Sequence, residues 1–477
     1  MRKKLRIAVS GLWLLLAGGC DSLNPLRPDL RRLYEFDGPA GVQPPLIVIP
    51  GILGSRLRDR ASGVELWPGS VGHLLLGGKD ALALKIDPKT LEPLDDGIEA
   101  AGLFEGVLNR DFYGAILHTL QHYGRYQLGV PGQHQDGKTR RYYVLAYDWR
   151  QDNVVTARKL DALIEQIRRD YGDPALKVDV VAHSMGGLAT RYFLRYGTDD
   201  VLDGNEFPVS LKGAAKLRTV ILLGTPNLGS AQSLHGFLRG TDVGYTRIPT
   251  EVLATMPSVY QLFPHPINSW LLRADGHALD RDLFDVDIWR RFEWSVFDPQ
   301  VIARLREAAP DAASAAKDLE LRQRYFEKRL ERARRFVWSL TVPLPKTPVN
   351  LVVFGGDCTL TPARLLVEEI DGDSVVRLYP EDVKHKLPGV DYSRLMLEPG
   401  DGAVTKPSLL ARENLDPTAP RHRYLFFPLA YSFFLCEQHD KLTGNINFQD
   451  NLLNVLLSRE RGFNGETKMK AGKDQRR

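Results

Sequence analysis

A run of β-branched residues, Val178-Asp-Val-Val-Ala182-His183, ends directly on Ser184, and Met185-Gly186-Gly187-Leu-Ala-Thr-Arg-Tyr192 continues as a helical pattern. Strand, sharp turn and helix in that order leave a chain few folds to choose from. The turn brings the positions two before and two after the serine into contact, so both must be small. Gly186 meets this fully, and Ala182 stands where glycine is more usual. Ser184 then stands at the end of a strand, with the Met185 N–H at a helix N-terminus available to an oxyanion. This is the setting of a catalytic nucleophile. A bare Gly-x-Ser-x-Gly pattern would be weak; the strand before it and the helix after it give it weight.

Four other short apolar runs have the same character: Pro45–Ile49, Tyr142–Tyr147, Thr219–Leu223 and Val349–Phe354. Runs without strict alternation suit strands buried on both faces of a parallel sheet. Helical patterns fall between several of them. Thr156–Tyr171, for example, carries Leu160, Leu163, Ile164 and Ile167 on one face. Alternating strands and helices predict an α/β, mostly parallel, doubly wound sheet. Two stretches, about 56–137 and 228–346, are too long for simple connections. The second holds a charged helical run, Val301–Leu340, and both are expected to be cap or lid insertions above the carboxyl ends of the strands.

In such a fold the nucleophile precedes the acid, and the histidine comes last. After residue 401 only His422 and His439 remain. His422 lies in Pro-Arg-His-Arg, where a solvated residue is expected. His439 follows an apolar run and precedes an amphipathic helix, Ile446–Leu457, which is where a general base belongs. Two aspartates compete to orient it. Asp357 directly follows a core strand, and spacing slightly favours it; Asp401 sits in a glycine-flanked loop farther on.

The ends of the chain read differently. A basic start, Met1-Arg-Lys-Lys-Leu-Arg6, leads into an apolar run from Ile7 to Leu16 and then Ala17-Gly18-Gly19-Cys20. The run is too short to span a bilayer as a helix, and the charge order is that of a secretory signal. Small residues running into a cysteine resemble the lipobox of bacterial lipoproteins, which implies cleavage after residue 19, lipidation of Cys20 and an extracytoplasmic, periplasmic-side location. Residues 20–43 read as a tether, 44–458 as the folded domain and 459–477 as a disordered basic tail. The net charge of +4 comes from 63 basic against 59 acidic residues. Arg2, Lys3, Lys4 and Arg6 lie in the segment to be removed, so the remainder balances and no nucleic-acid footprint survives. Past Cys20, only Cys358 and Cys436 remain; a disulfide and two buried thiols are equally good readings. His118 and His122 are four apart on an expected helix, but no acidic partner completes a metal pattern, so no metal or cofactor is expected.

Taken in order, Pro45-Leu-Ile-Val-Ile-Pro-Gly-Ile-Leu-Gly-Ser-Arg-Leu57, Ala146-Tyr-Asp-Trp-Arg150, Ala182-His-Ser-Met-Gly-Gly187, Gly224-Thr-Pro-Asn-Leu-Gly-Ser230 and Gly400-Asp-Gly-Ala-Val404 resemble the lecithin:cholesterol acyltransferase family of α/β-hydrolases. Met256–Pro264 is a weaker echo. The resemblance implies Asp401 rather than Asp357 as the acid, since the family's acid lies in a Gly-Asp-Gly-like loop. It implies a second oxyanion N–H on Ile52. Trp67 resembles a family tryptophan of the membrane- or acyl-contacting segment, with a core residue as the equal alternative. Asp148 and Arg150 read as a structural ion pair. Pro226-Asn227 departs from the family's usual Pro-Trp, which leaves the lid hinge open. The implied activity is hydrolysis or transfer of the acyl group of a membrane glycerolipid or phospholipid through an acyl-Ser184 ester. The competing readings are an esterase of soluble esters and a noncatalytic envelope lipoprotein.

Overall fold

The computed structural model describes residues 27–35 and 44–458, apart from 71, 73–78, 108–109, 244–245, 414, 416–417 and 419–426. The signal segment, Cys20, His422 and the basic tail lie outside the described residues.

Seven strands form the central sheet: β1 (Leu46–Ile49), β2 (Gln127–Leu128), β3 (Arg141–Val144), β4 (Val178–His183), β5 (Leu217–Leu223), β6 (Asn350–Gly356) and β7 (Tyr431–Leu435). Their spatial order is β7-β6-β5-β4-β1-β3-β2, and every pairing is parallel. This is the α/β-hydrolase fold expected from the sequence. Successive side chains of a strand point to opposite faces, and those of β1 divide between two cores. Leu46 and Val48 pack in one with Leu120 and Leu452, under the helices Gly114–His122 and Ile446–Leu457. Ile47 and Ile49 pack in the other with Leu160 and Leu188, under Asn153–Tyr171 and Met185–Tyr196. Both faces are covered, so the central strands are apolar throughout.

The connections differ in detail from the expectation. The stretch 56–137 begins above the sheet as an antiparallel trio, Ser55–Asp59, Glu65–Trp67 and Ile98–Leu103. Its later part belongs to the core, because the helix Gly114–His122 covers the sheet and β2 pairs with β3. The short, exposed β2 carries too little apolar signal to be seen in the sequence. The expected helical run 301–340 is two helices, Pro299–Ala308 and Ala312–Ser339, broken at Pro310, whose ring cannot continue a helix. A further insertion, missed in the sequence, lies between β6 and β7. Its strand Leu365–Ile370 pairs with Leu271–Arg273 from the preceding insertion and with Asp373–Arg377. The tether is not wholly irregular: Leu30–Tyr34 is a short helix capped by Asp29, and the Tyr34 hydroxyl donates to the Asp450 carbonyl at 2.7 Å. No helix among the described residues is long and apolar enough to cross a membrane.

Candidate active site

Steric exclusion builds the turn at Ser184. Ser184 has φ +52°, a left-handed conformation that costs a non-glycine residue and is sustained only where its surroundings enforce it. Two glycines provide that enforcement, and a third leaves room for His439. A Cβ on Gly186 would lie 2.4 Å from the Pro50 carbonyl, and one on Gly51 would lie 2.8 Å from the Ser184 Cβ. A Cβ on Gly224, at φ +58°, would meet the His439 ring at 3.0 Å. The end of β1 therefore closes on the turn after β4, and the Ser184 N–H donates to the Leu223 carbonyl of β5 at 2.8 Å.

Asp401 and His439, the candidate acid and base, arrive from loops far along the chain. His439 opens a short 3-10 turn after β7, and its Nε2 lies 3.0 Å from the Ser184 Oγ. Its Nδ1 lies 2.8 Å from the Asp401 Oδ2. The other Asp401 oxygen accepts the Ala403 and Val404 N–H groups at 3.0 and 2.7 Å, and the Asp401 carbonyl accepts the His439 N–H at 2.9 Å. Burial alone would raise the Asp401 carboxyl, but the charge of His439 and these hydrogen bonds outweigh it and hold the group below its ordinary value. Burial alone would lower His439; Asp401 outweighs that and raises it above 6.5. Asp357, the competing carboxylate, is engaged elsewhere: its Oδ2 accepts from Lys406 Nζ at 2.8 Å. Spacing favoured it only because strand-end position was the one signal available. Cys358 and Cys436 form a disulfide with a Cα separation of 4.9 Å. It joins the ends of the neighbouring strands β6 and β7, and His439 follows three residues on.

The loop at residues 50–55 faces Ser184, and the polar tips of four aromatic side chains grip it. Tyr147 Oη donates to the Pro50 carbonyl at 2.9 Å, Trp67 Nε1 to Leu53 at 2.8 Å and Trp149 Nε1 to Ser55 at 3.1 Å. The Gly51 N–H donates to Tyr113 Oη at 2.8 Å, and the Gly54 N–H to the Gly51 carbonyl at 3.1 Å. Ile52 lies between these two bonded amides, at the wall of the cleft. Trp67 does not line the cleft. It is 2% exposed, edge-on to Trp149 and Phe104, so of its two readings the geometry favours the core one. Its indole braces the loop that substrate would meet. Arg150, wholly buried, pairs with Asp148 at 2.8 Å as the sequence suggested, and with Asp96 at 2.8 Å, which the sequence did not reveal.

Above Ser184 and His439 lies a cavity of about 490 Å³. Ile52, Leu53, Ile248, Leu253, Val259 and Leu262 supply much of its wall, while Gln232, Ser233 and His235 on the helix Ala231–Arg239 give it a polar stripe. The Asn227 side chain, where the family usually has Trp, is buried; its amide donates to the Leu409 carbonyl and its oxygen accepts from Arg191. His118 and His122 stack on each other at 3.9 Å. Among the described residues, no group of three or more His, Cys, Asp or Glu is placed to hold a metal ion.

Residues 136–409 match the family described as lecithin:cholesterol acyltransferase, more than half of the chain and a span that includes both Ser184 and Asp401. The chain belongs to the lecithin:cholesterol acyltransferase family. That is a family of acyltransferases and hydrolases acting on lipid esters, and its matched span ends before His439. A search of curated proteins finds no match. Among solved structures, the chain resembles one in the crystal structure of the Tle4–Tli4 complex, with a TM-score of 0.54 and 15% identity over 87% of this chain and 98% of that one. That likeness supports the fold. Bacillus licheniformis lipase BlEst2 in mature form aligns over 88% of this chain and 95% of its own at 11% identity, with a TM-score of only 0.33.

Proposed function

We propose that this lecithin:cholesterol acyltransferase family member transfers acyl groups from a membrane glycerolipid or phospholipid through a covalent acyl-Ser184 ester. The observation that carries the reading is the unbroken hydrogen-bonded series Ser184–His439–Asp401, opening into a cavity with a largely apolar wall. His439 Nε2 takes the Ser184 proton as Oγ attacks the ester carbonyl. The Met185 and Ile52 N–H groups hold the resulting oxyanion; backbone donors there need no particular side chain. His439 returns the proton to the leaving alcohol. Water, or a second alcohol, then attacks the acyl ester and gives up its proton to His439, which returns it to the Ser184 Oγ as the acyl–oxygen bond breaks. Asp401 keeps the His439 ring in the tautomer with Nδ1–H and stabilises the imidazolium. Every proton in this scheme moves through His439.

Cys20 is the proposed lipid anchor, holding the enzyme on the periplasmic side of a bacterial membrane beside its substrate. Replacement of Cys20 by Ser is expected to abolish incorporation of radiolabelled fatty acid and release the protein from the membrane fraction. The activity is tested by lipid mass spectrometry of mixed phospholipid vesicles incubated with wild type or Ser184→Ala, with and without a sterol or long-chain alcohol. Ser184-dependent free fatty acid and lysophospholipid, unchanged by the alcohol, identify a phospholipase. An alcohol ester appearing at the expense of fatty acid identifies an acyltransferase. Product formation by Ser184→Ala equal to wild type would overturn the reading.

A further inference from the structure

Tyr113 and His183 are absent from the proposed mechanism, yet they join its two halves. Tyr113 is 4% exposed, on the loop that leads into the helix Gly114–His122. Its hydroxyl receives the Gly51 N–H at 2.8 Å and lies 2.8 Å from His183 Nδ1. His183 Nε2 in turn lies 3.3 Å from the His439 carbonyl oxygen, and the two imidazole rings are 5.0 Å apart. The chain therefore runs from the loop that faces the oxyanion, past the nucleophile, to the backbone of the general base.

The donors and acceptors in this series have only one consistent arrangement. A backbone N–H can only donate, so Tyr113 Oη accepts from Gly51, and its own proton must go to His183 Nδ1. A carbonyl oxygen can only accept, so His183 Nε2 carries the ring proton. With the other tautomer, Tyr113 Oη would face two donors, and the Nε2 lone pair would face the carbonyl oxygen. Burial drives His183 down to about 3, with the neighbouring His439 charge adding to the effect, so the ring is neutral in the working range. That neutrality matters, because a protonated His183 would place a second cation beside the imidazolium formed at His439 during turnover.

We propose that His183 and Tyr113 are positioning residues that lock the oxyanion-facing loop and the His439 loop into one geometry through a one-directional hydrogen-bond series. This rests on the acyl-transfer reading of the same site. Three contacts then fix His439: its N–H on the Asp401 carbonyl, its Nδ1 on the Asp401 carboxylate and its carbonyl on His183. On the other side, Gly51 sets the direction of the next amide, Ile52. Small displacements of reacting groups are costly, on the order of a hundredfold in rate for about 1 Å.

The test combines kinetics with a spectroscopic readout. Tyr113→Phe removes one oxygen and keeps the ring in the core. It is expected to lower kcat for a short soluble ester about tenfold or more, with KM within about twofold and, from the loss of two buried hydrogen bonds, a thermal midpoint lowered by only a few degrees. His183→Gln, whose amide can place an N–H toward the His439 carbonyl, is expected to retain more kcat than His183→Leu. In wild type labelled with 15N-histidine, the His183 resonances, assigned by their loss in His183→Gln, are expected to show a neutral ring protonated at Nε2. A ring protonated at Nδ1, or a Tyr113→Phe enzyme with unaltered kcat, would overturn the proposal. If Ser184→Ala keeps full activity the acyl-transfer reading fails, while the His183 tautomer still decides whether the series exists.

Discussion

Ser184, the proposed nucleophile, and the Asp401–His439 pair proposed to activate it are held by different kinds of force. Ser184 sits at the carboxyl ends of the parallel strands, and what fixes it is exclusion: Gly51 and Gly186 leave no room for a side chain. Asp401 and His439 come from loops 38 residues apart. They are fixed by hydrogen bonds to each other's backbone and side chain. The nucleophile's place is thus a property of the core, and the acid and base can be altered without disturbing that core. Damage on the first side is expected to appear as lost stability, and damage on the second as lost rate.

The largest effect is expected for Asp401→Asn. The amide keeps an oxygen for the Ala403 and Val404 N–H groups but no longer selects the His439 tautomer, so kcat should fall by about 10³- to 10⁴-fold. Unfolding is expected to stay near that of wild type. Asp357→Asn, which breaks only the pair with Lys406, is expected to leave kcat near that of wild type, because Asp357 does not touch His439 and a partly exposed ion pair contributes about 1 kcal/mol or less to stability. The reverse result for the two aspartates would overturn the assignment of the acid. The same comparison has a pH signature. A protonated His439 cannot accept the Ser184 proton, so activity falls as pH drops through its folded pKa, which Asp401 raises above 6.5. The acidic limb of kcat/KM is therefore expected above 6.5 in wild type and at lower pH in Asp401→Asn.

Gly186→Ala probes the other side. Its Cβ would press on the Pro50 carbonyl and on Ile49 Cγ2, 2.9 Å away, and overpacking of that kind costs about 1–3 kcal/mol. Thermal denaturation should register the loss, and a stability equal to wild type would break the distinction between the two regions. Replacing Cys358 and Cys436 together by serine opens a 78-residue link and is expected to cost about 2–4 kcal/mol, read as a lower denaturation midpoint in non-reducing buffer. Trp67→Phe should have the smallest effect. It removes the indole donor from the Leu53 carbonyl, worth about 1 kcal/mol, and leaves KM for lipid substrate unchanged because Trp67 does not line the cleft. A raised KM with normal stability would restore its reading as a substrate contact.

The same contrast explains what the sequence could reveal. The turn at Ser184 is written in consecutive residues, because the strand, the small flanking residues and the helix are all local. The core strands were legible as apolar runs buried on both faces, and their order in the sheet was not. His439 was legible from its place between the last strand and last helix. Asp401 was legible only through its resemblance to a family motif, since two turn aspartates look alike until something distant touches one of them. Tyr113 gave no local signal: its partner Gly51 is 62 residues away. His183 stood inside the best-marked motif, yet only the positions of Tyr113 and the His439 carbonyl give it a direction. Short β2 and the strands between β6 and β7 were missed because their stability comes from pairing partners rather than from their own pattern.

The most direct test of the account is to trap the acyl-enzyme. Wild type and Ser184→Ala would be mixed with a long-chain ester, quenched in acid within the first turnovers and digested for peptide mass analysis. The mass of the donor's acyl chain is expected on the wild-type peptide containing Ser184 and is expected to be absent from the variant. Turnover of the ester with no acyl group on Ser184, or with the acyl group on another residue, would contradict it.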